Sequence, residues 1–351
     1  MTRRSATLAV AGALLVALVA VAALFPVPYV VFSPGPMEDV LGEVNGTPVI
    51  VVEGGETFPT EGQLDLTTVG VTSADRRLDL LSALQAWADP DRAVLPRRLV
   101  YPDGTTSEES REINAELLDR SEESAKVAAL RKTGADVPER PVVESVLDDS
   151  PADGILEPGD LVVAVDGQAV AEPAEVSAAV QERDPGDPVE LALLRAGEER
   201  TETVVTAPSP DDPEVPVVGI QVGTGYELPV QVDITIDERI GGPSAGLVFA
   251  LAIYDKLTPG ALLGGSHVAG TGEITADCEV GPIGGIQQKI AASGDSGADL
   301  FLAPVDNCDD VVGADPRDMR VVPVATLDEA VTAVEAVAAG DLDSLPSCPA
   351  A

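Results

Sequence analysis

The sequence predicts an α+β protein: a single transmembrane helix followed by two mixed α/β domains. Three observations carry this. The stretch from Ala6 to Phe25 holds no charge, and about twenty residues at a 1.5 Å rise cover a bilayer core of roughly 30 Å. From Pro141 onward, short apolar runs are punctuated by the turns Pro158-Gly159-Asp160 and Asp166-Gly167, the texture of a small sheet domain. Beyond Val217, strand-like runs and glycine-bearing turns lead into two helical patterns.

The chain has 351 residues, enough for two or three domains with their own cores. It sets 60 acidic residues against 21 Lys and Arg, a formal net charge of −39. No basic footprint is present to neutralise phosphates, which excludes nucleic acid as a partner and argues equally against a face docking on anionic lipid. The acids are spread among apolar segments and read as a solvated surface. Cys278, Cys308 and Cys348 form no Cys-x-x-Cys pair, so no zinc site is expected. In an oxidising compartment two of them can pair. The sequence leaves the pairing open, with Cys308 to Cys348 preferred because it would tie down the C-terminal tail.

At the N-terminal end Arg3 and Arg4 precede the apolar stretch. The positive-inside rule puts that end in the cytoplasm and everything after about Val31 outside. A cleavable signal has a shorter apolar region of about 7–15 residues, although Val21-Ala22-Ala23 fits a cleavage site. A single-pass anchor with an exported body is the reading.

Gly62–Ser73 alternates apolar and polar residues and predicts a strand. Leu78, Leu81, Leu84 and Trp87 share one helical face that Pro90 ends. Thr106 and Glu109 form a capping box before a second helix carrying Ile113, Leu117, Val127 and Leu130. Both helices are expected to pack and to hold no catalytic group.

The run SPADGILEPGDLVVAVDG, Ser150 to Gly167, with the strand Leu161–Val165, the helix EVSAAVQER and the strand VELALLR, resembles a PDZ domain. The resemblance implies a fold that adds a peptide C-terminus as an edge strand, held by N–H groups of a glycine-containing loop. Upstream, RKTGADVPERP offers only Gly134 for that loop, so a spacer or steric guard is the alternative role. The acidic, proline-rich Ala207–Pro216 marks a boundary.

GGPSAGLVFALAIYDKL, Gly241 to Leu257, places Ser244 where a helix apolar nearly all round begins. Pro243 suits a first helical position, and Gly241, Gly242 and Gly246 allow close approach. First-turn N–H groups around Gly242, Pro243 and Ala245 could face a developing oxyanion. Such a serine is also a common cap, so the nucleophile reading needs a base. In IQQKIAAS, Lys289 sits one turn inside a helix among Ile286, Ile290 and Ala291. Burial must bring it from a pKa near 10.4 to about 7–8 for it to accept a serine proton. Desolvation of about 3–5 units outweighs distant carboxylates screened beyond about 8 Å. The chain's single histidine, His267 in GGSHVAG, is read as non-catalytic, and Lys256 as a solvated charge at a helix end. Cys278 has no functional account.

GGPSAG followed by TGEITADCEVGPIGGIQQKIAAS resembles the proteolytic domain of Lon-type serine peptidases, which use a Ser–Lys dyad without histidine. The resemblance implies a ribosomal-protein-S5-domain-2-like fold, Ser244 as nucleophile, Lys289 as general base and Thr271 as the hydroxyl orienting the lysine. With anchor and PDZ included, the chain is similar to membrane-anchored PDZ-containing Lon-like proteases of bacteria. The strand at Gly62–Ser73 then joins the proteolytic sheet, with the PDZ inserted later. The implied division is 1–32 cytoplasmic end and anchor, 33–137 an α/β segment packing on the proteolytic domain and 138–207 PDZ, followed by 208–216 linker, 217–340 proteolytic domain and 341–351 tail. Two departures stand out: Gly241 replaces the usual acidic residue, with Asp237 or Glu238 as substitutes, and no GxxxxGK[ST] phosphate loop is present.

The expected function is ATP-independent, membrane-anchored endopeptidase activity on unfolded or extracytoplasmic protein substrates, with no cofactor or metal. A homo-oligomeric ring of six is implied by the resemblance alone. The alternative is a catalytically silent PDZ-bearing scaffold.

Overall fold

The computed structural model describes residues 3–349, with all side chains except those of Arg3, Ala6 and Ala23. Contacts divide the chain into two units, one of Met1–Thr133 with Val232–Ala351 and an inserted one of Gly134–Gln231.

Helix α1 (Arg3–Leu24) is 22 residues long. Its apolar side chains point outward on every side, Leu8, Leu14, Val16, Leu18 and Leu24 all being well exposed. Among the described residues no helix is long and apolar enough to cross a membrane; the described side chains of α1 run unbroken only from Thr7 to Ala22. The transmembrane reading is therefore a proposal, taken up below.

Strands β1 (Tyr29–Asp39) and β2 (Gln63–Val71) pair antiparallel, Phe32 opposite Val71. Helix α2 (Leu80–Trp87) follows, capped by Asp79, whose carboxylate accepts from the Ser82 N–H at 2.9 Å. Its apolar stripe does not pack as expected. Ala83 and Ala86 face inward, while Leu81, Leu84 and Trp87 are exposed. Strand β3 (Ala93–Pro96) pairs with β1. Helix α3 (Ser107–Lys132) starts at Thr106, whose hydroxyl accepts from the Glu109 N–H at 3.1 Å. It buries Leu118, Ser121 and Ala125, then the continuous run Val127, Ala128, Ala129 and Leu130, whereas Ile113 is exposed.

The inserted unit holds β4 (Glu139–Val146), β5 (Leu161–Val165), α4 (Pro173–Gln181), β6 (Pro188–Arg195), β7 (Glu198–Val205) and β8 (Ile220–Tyr226). Its sheet order is β7-β6-β5-β4-β8. Val162, Val165, Val176, Val180, Leu191 and Leu193 fill its core. The buried Asp160 of the Pro-Gly-Asp turn takes both Nε and Nη2 of Arg195 at 2.6 Å, a two-point ion pair that fixes the turn against the sheet. β8, grouped at the sequence level with the proteolytic residues, pairs with β4, and the main unit resumes only at Val232. The expected linker is a hairpin, Ala207–Pro208 against Pro216–Val217, that turns the chain back into the inserted sheet.

The returning chain forms α5 (Gly246–Leu257), β9 (His267–Gly270), α6 (Ile286–Ser296), β10 (Leu300–Pro304), β11 (Arg320–Val324) and α7 (Leu327–Ala338). The main sheet runs β11-β10-β9-β2-β1-β3, so the early strand β2 stands at its centre. β2, β9, β10 and β11 are parallel neighbours, with His267 opposite Gln63 and Ala269 opposite Phe301. Leu247 to Ile253 of α5 are entirely buried, as suits a helix apolar nearly all round. Cys308 and Cys348 form a disulfide, and Cys278 is free.

Candidate active site

Successive residues of a strand face opposite sides of a sheet, and here that alternation assembles the site. Ile286 and Ile290 of α6 pack with Ala269, Phe301 and Ala303 on one face. Val248 of α5 lies beside Gly270 and Leu302 on the other. Two helices on opposite faces thus converge beyond the C-terminal end of β9, where Thr271 follows the strand.

Pro243–Ala245 forms a 3₁₀ turn leading into α5, entered through Gly242 at φ 93°, a conformation side-chain-bearing residues rarely adopt. The turn is pinned from three directions. The Gly242 N–H donates to the Asn114 carbonyl at 2.8 Å, the Ser121 hydroxyl to the Pro243 carbonyl at 2.9 Å, and the Gly272 N–H to the Ser244 carbonyl at 2.9 Å. Asn114 and Ser121 belong to α3, the helix expected only to pack. A Cβ at Gly241 would lie 3.0 Å from the Asn114 Cβ, so α3 fills the space an acidic side chain would need there.

Lys289 stands in the first turn of α6, which starts at Gly285 with φ 72°. Its Nζ is 2.8 Å from the Ser244 Oγ and 2.8 Å from the Thr271 Oγ1. The Thr271 hydroxyl donates to the Ser244 carbonyl at 3.0 Å, so its oxygen must accept from Lys289. Lys289 is 2% exposed and Thr271 wholly buried, whereas Ser244 is half-buried and reachable. Burial lowers the Lys289 pKa from 10.5 to about 7, and no charged neighbour contributes. The acidic surface does not reach it. Asp237, one suggested substitute carboxylate, is engaged by Arg239 at 2.7 Å on the surface.

Of the sequence-derived site residues, Ser244, Lys289, Thr271, Gly242, Pro243 and Ala245 come together. His267 does not join them: its Nε2 lies 2.7 Å from the buried Asp65 Oδ2, near the opposite end of β9 from Thr271. Asn114 and Ser121 lie on a helix expected only to pack; Ser121 shares a small-residue spacing with Ala125 and Ala128 along α3, and Asn114 carries no local signal.

Residues 112–206 match the family model of the PDZ domain, and residues 238–336 that of the Lon protease (S16) C-terminal proteolytic domain. The chain is similar to the Lon protease of Vibrio parahaemolyticus, 38% identical over 91 residues, covering 25% of this chain and 11% of that protein. It is similar to the Lon protease of Campylobacter concisus at 37% over 92 residues, again 25% and 11%. The chain thus spans about a tenth of the length of the curated relatives it matches. Among solved structures, the PDZ domain of an SdrC-like protein from Listeria monocytogenes is 25% identical, covering 24% of this chain and 86% of that one with a TM-score of 0.22. A Geobacillus thermodenitrificans protein is 32% identical over 23% of this chain and 92% of its own, with a TM-score of 0.21. At these scores the likeness carries no argument. The Lon-type match supports a serine peptidase, and the two domain matches together support a peptide or protein as ligand.

Proposed function

We propose that the protein is an ATP-independent, membrane-anchored serine endopeptidase in which Ser244 and Lys289 form the catalytic pair. The observation that carries this is the 2.8 Å approach of a desolvated lysine amine to a reachable serine hydroxyl. A neutral amine has two N–H donors and one lone pair. Thr271 takes one N–H, and with the Ser244 Oγ 2.8 Å away the lone pair of the neutral amine can accept the hydroxyl proton. As Ser244 attacks a peptide carbonyl, Lys289 takes that proton and then returns it to the leaving amine, leaving an acyl-enzyme. Lys289 next draws a proton from the water that attacks the acyl group and passes it to the departing Ser244 oxygen, which restores the neutral amine and the free hydroxyl. Main-chain N–H groups at the mouth of the Pro243–Ala245 turn suit the developing oxyanion, while the Leu247 N–H is already taken by the Gly272 carbonyl. A silent scaffold would need this amine solvated and charged, and its burial speaks against that.

Anchoring is supported by α1, whose apolar side chains are exposed all round, an arrangement that water does not stabilise. Arg3 and Arg4 before it favour a cytoplasmic N-terminal end, and the Cys308–Cys348 disulfide favours an oxidising exterior for the body. ATP independence rests on the lack of a phosphate loop in this sequence. Flexible segments are the substrates this chain would cleave when acting alone. The test is casein cleavage by the full chain in detergent without ATP. Wild type and His267→Ala should cleave; Ser244→Ala and Lys289→Ala should not. Undiminished cleavage by Lys289→Ala would remove the dyad.

A further inference from the structure

We infer that the exposed apolar face of α2, with Leu99 and a surrounding set of arginines, lies on the anionic lipid surface of the membrane that α1 enters. The inference rests on the anchored reading above. Leu81, Leu84, Trp87 and Leu99 are 39%, 51%, 77% and 71% exposed. An apolar face of this kind on a soluble body calls for a cover.

Its position says what covers it. The Phe25 N–H donates to the Val21 carbonyl at 2.8 Å, continuing α1, and the Phe25 carbonyl accepts from the Leu80 N–H at 3.1 Å. Pro26–Val27 pairs with Leu78–Asp79. The start of α2 is therefore tied to the residue that follows α1, and the two helices are in contact. If α1 enters the bilayer, α2 begins at its surface. A face carrying Trp and Leu is what the headgroup boundary takes up. The chain has one Trp and four Tyr, and Trp87, Tyr29 and the exposed Phe25 all lie in this region.

Charge points the same way. Against a net −39, Arg76, Arg77, Arg92 and Arg98 are exposed around this face. Of the carboxylates nearby, Asp89 and Asp91 are ion-paired with Arg92 and Arg317, whereas Asp75 and Asp79 accept from the Ser107 and Ser82 N–H groups and keep their charge. Arg97 is spent on the Ala74 carbonyl and the Tyr101 ring. Arg76, Arg77 and Arg98 are exposed and flank α2 and Leu99 in the chain. The whole-chain charge, which argues against lipid docking, does not describe this patch.

Because Trp87 is the single tryptophan, its fluorescence reports on the face directly. The full chain is reconstituted into vesicles of phosphatidylcholine with phosphatidylglycerol, floated on a density gradient, and examined with brominated phosphatidylcholine. The expected result is flotation with a blue-shifted emission that the bromines quench. Leu84→Glu with Leu99→Glu, both at exposed positions, should float and melt as wild type yet lose the quenching. Arg76→Glu with Arg77→Glu should weaken it in anionic vesicles, each basic residue near such a surface being worth about fivefold. Flotation with a water-like emission quenched by iodide overturns the docking and leaves the anchor. A blue shift that bromines do not touch and dilution abolishes means that a second copy covers the face, and also overturns it. Failure to float overturns both readings.

Discussion

At Lys289 a side chain that water would hold as an ammonium ion is 2% exposed, and burial alone brings its pKa from 10.5 to about 7. Between about 7 and 10.5 the unfolded chain binds the proton and the folded one does not, so stability rises with pH across that window. Below about 7 both states are protonated and the cost is felt in full, on the order of 5 kcal/mol at most. Lys289→Met should therefore be inactive yet melt higher than wild type at pH 7, with the gap narrowing toward pH 10. A variant melting lower at every pH would show that the amine is not desolvated. The same titration governs the reaction. With the neutral amine as base, kcat/KM should climb about tenfold per pH unit below about 7 and level off above it. His267→Ala should leave this limb in place, because His267 is engaged with Asp65. A rate flat from pH 5 to 8 would exclude Lys289 as the base.

Among the elements, α6 and α3 decide whether the two groups meet. A Cβ at Gly285 would fall 2.6 Å from the Val69 Cγ2, and φ is 72° there. Gly285→Ala should displace the first turn of α6 and with it Lys289, costing about 1–3 kcal/mol and lowering kcat more than KM. Adding Val69→Ala relieves the clash but not the φ, so the double variant should recover part of the melting temperature; no recovery would mean that β2 does not set the position of α6. Ser121→Ala leaves the Pro243 carbonyl without its donor and should cost about 1 kcal/mol, with a lower kcat read from initial rates. Unchanged kinetics would make α3 a packing element only. Ser244 and Lys289 are legible because each lies in a local pattern of glycine, proline and apolar spacing, whereas Thr271 is indicated only by the resemblance that its Thr-Gly-Glu run carries. Nothing local shows Ser121 reaching a partner 122 residues away. The stripe on α2 misleads for a related reason: periodicity gives a face but not its side, and Ala83 and Ala86 take the inside. Proline and acid at Ala207–Pro216 likewise signal a break without telling a linker from a hairpin.

Across the whole molecule, the charge of −39 and the buried amine coexist because screening confines carboxylates to their neighbourhood and none approaches Lys289. The chain is also closed on itself covalently. Cys308 is joined to Cys348 across 40 residues, and the Arg320 guanidinium donates to the Leu345 carbonyl of the same tail. Cys348 and Ile290 line one small cavity, so the tail lies against the back of α6, beside the residue next to Lys289. In the chain-entropy account, closing a loop of this length is worth about 4 kcal/mol. Reduction should then lower the melting temperature by roughly 10 °C. The groups that hold the dyad, Thr271 and the ends of α5 and α6, do not depend on the tail's backbone bonds, so casein cleavage at 25 °C should persist in reductant. Heating should separate the two states, with reduced protein losing activity at the lower temperature. Cys308→Ser should behave as the reduced wild type and be indifferent to reductant. Equal melting of oxidised and reduced chains would show that the tail adds nothing to the fold, and loss of cleavage at 25 °C that it holds α6 in register.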